Sequence, residues 1–255
     1  MKLMKKAQSL IGIAVILILW QVLTGLEIVP SFILPSPLAI LEAMVEKREL
    51  LFYHAEATLL EAFLGLTIGV VLGFTLALTM ERFSLFYQML YPILVISQTI
   101  PIVAIAPVLI IWFGYGILPK VVIVVVSSLF PIAIGLLDGF RSVDPDRILL
   151  LKSMQATDRQ IIRYAKLPEA QPYFFSSLRI SATYGLIGAV LAELLGGNSG
   201  LGVYLTRARK SYAFDEMFAI IFLTTLISLA LVWLIKRIEK FATPWKKEEE
   251  RRKHV

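Results

Sequence analysis

Four stretches of this sequence, residues 7–26, 62–80, 121–137 and 217–235, contain no Asp, Glu, Lys or Arg, and each is about one bilayer long as a helix. A hydrocarbon core of roughly 30 Å takes about 20 helical residues. Inside lipid, only helices and closed barrels satisfy every backbone N–H and C=O, so these runs predict an all-α, polytopic membrane protein. The rest of the composition agrees: 58% of residues are hydrophobic, 17% are charged, and the mean hydropathy is +0.78.

A longer uncharged run, 83–119, holds 37 residues, too many for one simple crossing. Pro92, Pro101, Pro107 and Pro119 interrupt it, and each lacks an amide donor and crowds the preceding turn, so the run reads as a bent helix with an extra segment. A further span is expected at about 178–196, carrying Glu193. The total is about six. The start MKLMKK followed by apolar residues has the charge pattern of a signal peptide, but no small-residue cleavage pattern follows, and an uncleaved anchor is expected. With no cysteine, disulfides and thiolate metal sites are excluded, and no metal site is expected.

If both termini are cytoplasmic, all of the 25 basic residues lie inside except Lys47, Arg48, Lys120, Arg207, Arg209 and Lys210. That bias supports a multi-pass membrane protein in this orientation, and it ties the net charge of +6 to the lipid bilayer rather than to nucleic acid. Arg207, Arg209 and Lys210 run against the rule, in a loop expected to face outward. Two readings stand: a short basic loop tolerated because stronger signals lie elsewhere, or an entrance whose cations attract an anionic solute or an acidic delivery protein.

Residues 138–179 form the expected cytoplasmic loop. Asp144, Pro145 and Asp146 supply an N-cap acceptor, a proline at the first helical position and an acid at the positive dipole end. The helix they start runs through Leu149, Leu150 and Leu151 to about Met154. Thr157 and Gln160 make a capping-box pair for a second short helix, carrying Arg159, which Pro168 is expected to end. Leu149, Leu150, Leu151 and Met154 give the pair more apolar surface than a solvated loop needs. Either the lipid interface or a partner's groove covers it.

This loop resembles that of binding-protein-dependent ABC importer permeases, whose signature is Glu-Ala-Ala, three residues, Gly, nine residues, Ile, one residue, Leu-Pro. The spacing places Leu149–Leu151 on the first triplet, Gln155 on the glycine, Ala165 on the isoleucine, and Leu167 and Pro168 on the ending; only the last pair matches in identity. The flanks LPSPLAIL (34–41), TIPIVAIAPVLIIWFG (99–114), LPEAQPYFFSSLRIS (167–181) and AELLGGNSGLGVYL (192–205) are similar to the nitrate, sulfonate and taurine branch. The segment 200–219 is closer to its sister group for pyrimidine precursors of thiamine. The resemblance covers about 30–240 and implies the type I ABC importer permease fold.

It also implies a division of the chain: an N-terminal anchor helix at 1–29, an external loop with a short helix at 30–57, a permease core at 58–240 that contains the coupling loop, and a charged cytoplasmic tail at 241–255. The implied partners are an ATP-binding ABC subunit docked on that loop, an external solute-binding protein, and a second permease subunit, identical or not. The chain itself carries no G-x-x-x-x-G-K motif, so ATP and magnesium belong on the partner and this subunit is not an enzyme. An ion-driven carrier or channel subunit is the alternative, and it has no need of the cytoplasmic helical pair.

Polar residues in the spans supply the remaining site candidates. Glu193 has two readings, a partner to a helix end or to Asn198, and a pathway residue near the outer mouth. Gln98 and Thr99, just before Pro101, stand where a bend exposes carbonyls: they either satisfy the freed backbone or line the solute path. Glu61 reads as interfacial. Gly65, Gly69 and Gly73 share one helix face, suited to close contact with another helix. Ser36 to Glu61 reads as helical, external or interfacial, with Ser36 before Pro37 as its start signal.

Overall fold

The computed structural model describes residues 2–243, and these are helical with no strand among them. Helix α1 spans Lys2–Gly25, α2 Pro37–Glu46, α3 Arg48–Arg82, α4 Ser84–Ser97, α5 Ile102–Phe113 and α6 Ile117–Arg141. The loop helices α7 (Pro145–Ser153) and α8 (Asp158–Ile161) follow. A π-helical turn, Ile162–Lys166, then leads into α9 (Leu167–Leu195), α10 (Leu201–Lys210) and α11 (Phe214–Ala242).

Among these, Arg48–Arg82, Ile117–Arg141, the continuous Asp158–Leu195 and Phe214–Ala242 are long and apolar enough to cross a membrane. The pair α4 and α5 makes a fifth span if counted as one, bent by 101°. The bend sits at Pro101, the N-cap of α5, where the missing amide and the restricted preceding residue stop α4 from continuing. The apolar part of α1, Ile11–Gly25, is shorter than a full span, so the described residues hold four such helices, or five with the bent pair, where about six were expected. Most large apolar side chains on α1, α4, α5 and α11 remain exposed, the inverse of a water-soluble core.

Close packing of three helices forms the center. Along α3, a Cβ at Gly65 would lie 2.9 Å from the Val121 carbonyl oxygen, and one at Gly73 would lie 2.8 Å from that of Leu129, so the glycine face is the seat of α6. On the other side of α6, a Cβ at Gly139 would meet Ala170 Cα at 2.6 Å, so α9 is pressed equally close. Around these contacts Ala77, Met80, Leu94, Ile132, Leu136, Leu137, Phe140 and Ala170 form the main core cluster. A second cluster at the other end, Leu51, Ala55, Leu201, Tyr204, Ala208 and Ile220, packs α3 against α10 and α11.

Several expectations are corrected. Pro168 does not end a helix; it stands in the first turn of α9, directly after the π-helical turn, and the chain stays helical from Asp158 to Leu195. The boundary at 57/58 falls within α3, which already begins at Arg48 after a break at Lys47. Ser36 caps α2 by accepting from the Ala39 N–H at 3.2 Å, with Pro37 at the first helical position. Arg179, inside the expected span 178–196, is neutralised by Glu239 of α11. The tail expected at 241–255 lies, beyond Thr243, outside the described residues.

Candidate functional site

The loop 138–179 is folded by its own capping. Asp144 accepts from the Asp146 N–H at 2.9 Å and opens α7. At the far end the Ala156 N–H bonds the Leu151 carbonyl at 3.0 Å and the Gln155 N–H bonds that of Lys152 at 2.9 Å, the paired bonds of a Schellman motif. The motif needs a left-handed residue, and Gln155 supplies it at φ 59°. This is where the resemblance aligns the signature's glycine. Thr157 and Gln160 then form the full capping box of α8. Asp144, Leu149, Leu150, Met154, Gln155, Thr157 and Arg159 are all exposed, and α7 has no buried residue. Leu149, Leu150 and Met154 are 68%, 60% and 71% exposed, while Leu151 is half-buried beneath them.

Below this ridge the segment is anchored. Ile161 and Ala165 are buried, Leu167 packs on the main core cluster, and Pro168 is half-buried beside it. Lys166 pairs with Glu81, and Arg82 reaches Asp158 at 2.5 Å, so both ends of the 158–166 segment hold the last turn of α3. Arg147 lies 3.7 Å from Glu169.

The bend between α4 and α5 opens a cleft of about 370 Å³, lined by Ser97, Gln98, Pro101, Ser127, Phe130 and Tyr184 among others. Gln98 and Pro101 are there; Thr99 is not among the lining residues, and its hydroxyl donates to the Ile96 carbonyl at 2.7 Å. Sequence reasoning missed Ser127, Phe130 and Tyr184, which arrive from α6 and α9. No local signal marks residues brought in by tertiary packing.

At the opposite end a buried polar cluster ties the α9–α10 loop down. Glu193 is 1% exposed and takes hydrogen bonds from the Gly202 N–H and the Thr58 hydroxyl, both at 2.7 Å. It therefore caps the start of α10, and it lines none of the described cleft. Asn198 is not its partner; that carbonyl accepts from Arg207 at 3.1 Å. His54 Nδ1 accepts from the Gly200 N–H at 3.0 Å and Thr58 from the Leu201 N–H at 2.9 Å. Glu61 and Lys120, read as interfacial and external, are in fact buried together at 2.7 Å, with Lys120 also donating to the Ser199 carbonyl. A lone acid and a lone base separated by 59 residues give no sequence cue to pairing.

The exposed Arg207, Arg209 and Lys210 fill the last turn of α10, where cations favour the negative end of the helix dipole. In the same helix the buried Tyr204 hydroxyl donates to Glu216 at 2.6 Å, and burial first, then that carboxylate, raise its pKa above the ordinary tyrosine value of 10.0. Among the described residues no group of His, Asp or Glu is arranged to hold a metal.

The comparisons with known proteins agree with this geometry. Residues 69–245 match the family model for the inner membrane component of binding-protein-dependent transport systems. An ABC transporter permease of Haemophilus influenzae is 38% identical over 90% of this chain and 96% of its own length. The formylaminopyrimidine transport permease ThiX of Halalkalibacterium halodurans is 35% identical over 92% and 94%. The taurine permease TauC of Escherichia coli is 28% identical over 91% and 87%. Among solved structures, an amino acid ABC transporter aligns with TM-score 0.66 at 19% identity, covering 77% of this chain and 96% of that one. The inward-facing MetNI methionine transporter aligns at 0.61 and 21%, covering 75% and 94%. These structures share the fold. With seven-tenths of its length matched by one family model and three relatives above 30% identity across nearly its whole length, the chain belongs to the inner membrane permease components of binding-protein-dependent ABC transport systems.

Proposed function

We propose that this permease works in an ATP-driven importer, with a separate nucleotide-hydrolysing subunit seated on α7 and α8 and a solute-binding protein delivering at the α10 end. The observation that carries the reading is α7. A nine-residue helix is marginal in water, yet this one is capped at both ends and has no fully buried residue, while offering Leu149, Leu150 and Met154 outward. Such a preformed apolar ridge suits a partner's groove. ATP and magnesium sit on that partner. In this orientation α7 and both termini are cytoplasmic. A second copy of the chain closes the open side of the cleft.

The cleft supports a small, uncharged nitrogen heterocycle of the pyrimidine type as solute. Its lining has no Lys, Arg or His, so a sulfonate or nitrate leaving water there gains no counter-charge. The Ser127 hydroxyl gives its proton to the Ile123 carbonyl and Ser97 to that of Leu94, so both face the cleft as acceptors for ring amino groups. Phe130 and Tyr184 supply aromatic faces for stacking. The relative named for formylaminopyrimidine transport is also more similar than those named for taurine or nitrate.

Uptake into vesicles containing the chain, its ATPase subunit and its binding protein tests both parts. The expected result is ATP-dependent uptake of labelled formylaminopyrimidine that taurine and nitrate do not inhibit. Uptake that needs an ion gradient instead of ATP refutes the importer assignment; competition by taurine refutes the solute class.

A further inference from the structure

Two carboxyl groups and one ammonium are sealed together at the α10 end of the molecule. Glu61 on α3, Glu193 on α9 and Lys120 on α6 are each 5% exposed or less. Thr58, one turn before Glu61 on the same helix, donates to Glu193 Oε1 at 2.7 Å, which draws the two carboxyl groups within hydrogen-bonding reach of each other. Lys120 is engaged with Glu61 Oε1 at 2.7 Å and with the Ser199 carbonyl at 3.2 Å. Both Glu193 oxygens accept, one from the Thr58 hydroxyl and one from the Gly202 N–H. Glu61 Oε2 is buried and has no hydrogen-bond partner among the described residues.

The surrounding elements supply no further positive charge to this group. His54 accepts the Gly200 N–H on Nδ1, so that nitrogen carries no proton and the ring is neutral. Tyr204 stacks on His54 and turns its hydroxyl to Glu216, which Lys47 faces at 3.6 Å. Arg207 is exposed and reaches the Asn198 carbonyl, and the neutral Tyr115 ring lies against Gly196. With both acids ionised, two negative charges would face one positive charge, all out of water. A buried unbalanced charge costs far more than a lost hydrogen bond, and carboxylates in contact do not both ionise. A water molecule can donate to Glu61 Oε2 but cannot cancel the charge. A hard cation collects about six or more oxygens, and the packing leaves no room for such a shell: a Cβ on Gly200 would stand 2.2 Å from the Glu193 carboxyl carbon.

We propose that this cluster is a proton-binding site: one proton, shared between Glu61 Oε2 and the Glu193 carboxyl, completes the latch that holds the 196–202 segment against α3. The proton leaves a single negative charge on the carboxyl pair, which Lys120 balances. It gives Glu61 Oε2 its missing partner and leaves Glu193 able to accept from Thr58 and Gly202. The latch itself is three successive N–H groups, those of Gly200, Leu201 and Gly202, held by His54, Thr58 and Glu193. Once the segment lifts and water reaches the pair, both acids ionise and the proton leaves. The closed state therefore holds one proton more than the open or unfolded state, so its stability falls as pH rises, by up to about tenfold in the equilibrium per pH unit. This inference is independent of the solute and of the ATPase subunit.

Infrared spectroscopy of the full chain in detergent and heavy water reads the proton directly, because a protonated carboxyl has a C=O band that a carboxylate lacks. The expected result at about pH 7, where exposed acids are ionised, is one such band that disappears in Glu61→Gln. The amide imitates the protonated acid: its nitrogen at the Oε2 position donates to Glu193, while its oxygen still accepts from Lys120. The variant should therefore fold, and its stability should stay flat from about pH 7 to 9, where the unaltered chain loses up to about tenfold per pH unit. That window lies below the ordinary tyrosine pKa of 10.0, so Tyr204 does not contribute to the slope. A role confined to packing would produce neither the band nor the difference in slope. Absence of the band from the unaltered chain overturns the inference. So does a band that persists in Glu61→Gln, or the same slope in both proteins. Stability that changes when sodium is replaced by choline at constant pH and ionic strength assigns the site to a cation and overturns it as well. If Glu61→Gln fails to fold, the band and slope of the unaltered chain decide alone.

Discussion

Removing Lys120 alone should cost far more than removing it together with Glu61. Glu61 is 4% exposed and Lys120 5%, and they meet at 2.7 Å between α3 and α6. In Lys120→Met the carboxylate of Glu61 stays buried with no cation within reach, and the Ser199 carbonyl loses a donor. Breaking a buried pair from one side costs about 3–5 kcal/mol, whereas replacing both partners by apolar residues of similar size is often near neutral. The expected order is therefore a loss of about 3–5 kcal/mol for Lys120→Met and a loss below about 2 kcal/mol for Lys120→Met with Glu61→Leu. Reversible unfolding in mixed detergent micelles, run as a double-mutant cycle, gives the coupling directly. Equal losses in the single and double variants would refute the reasoning, since they would mean that the cost is lost packing rather than a stranded charge.

Three further outcomes follow from the same geometry. Gln155→Gly removes the Cβ from a left-handed residue and should stabilise the end of α7 by about 1 kcal/mol, read as slower amide exchange at Gln155 and Ala156; faster exchange there contradicts the Schellman assignment. Tyr204→Phe deletes a hydrogen bond to a carboxylate and should cost about 1.5–3 kcal/mol by the same unfolding assay. Because folding raises the Tyr204 pKa, its stabilising effect is complete below pH 10.0 and declines as pH rises toward the folded value; Tyr204→Phe should flatten that alkaline decline, and an unchanged slope would contradict it.

What could be read in advance depended on how local its physics is. The caps at Ser36, Asp144 and Thr157 involve partners two or three residues away, and sequence was enough to place them. The crossings were visible because lipid imposes one requirement on every residue of a span. The helix break at Pro101 follows from the missing amide, but its 101° angle depends on what α5 packs against and was not legible. Pro168 misled for a related reason: it follows a π-helical turn that no propensity signals, and the helix continues through it. Glu61, Lys120, His54, Thr58 and Glu193 come from three separate stretches of chain, and none of them alone signals its partners. Their meaning appears only when α3, α6 and α9 are brought within the close approach that the glycines permit.

The claim on which the functional reading depends is that the ridge of α7 is a seat for an ATPase subunit. Its direct test is retention of that subunit by the affinity-purified chain, compared with Leu149→Asp and Leu150→Asp together. Both side chains are mostly exposed, so the fold should be undisturbed. Covering a Leu is worth about 1.5–3 kcal/mol, so losing two and burying charge instead should weaken retention at least 100-fold. Undiminished retention of the ATPase subunit by that folded variant would contradict the account.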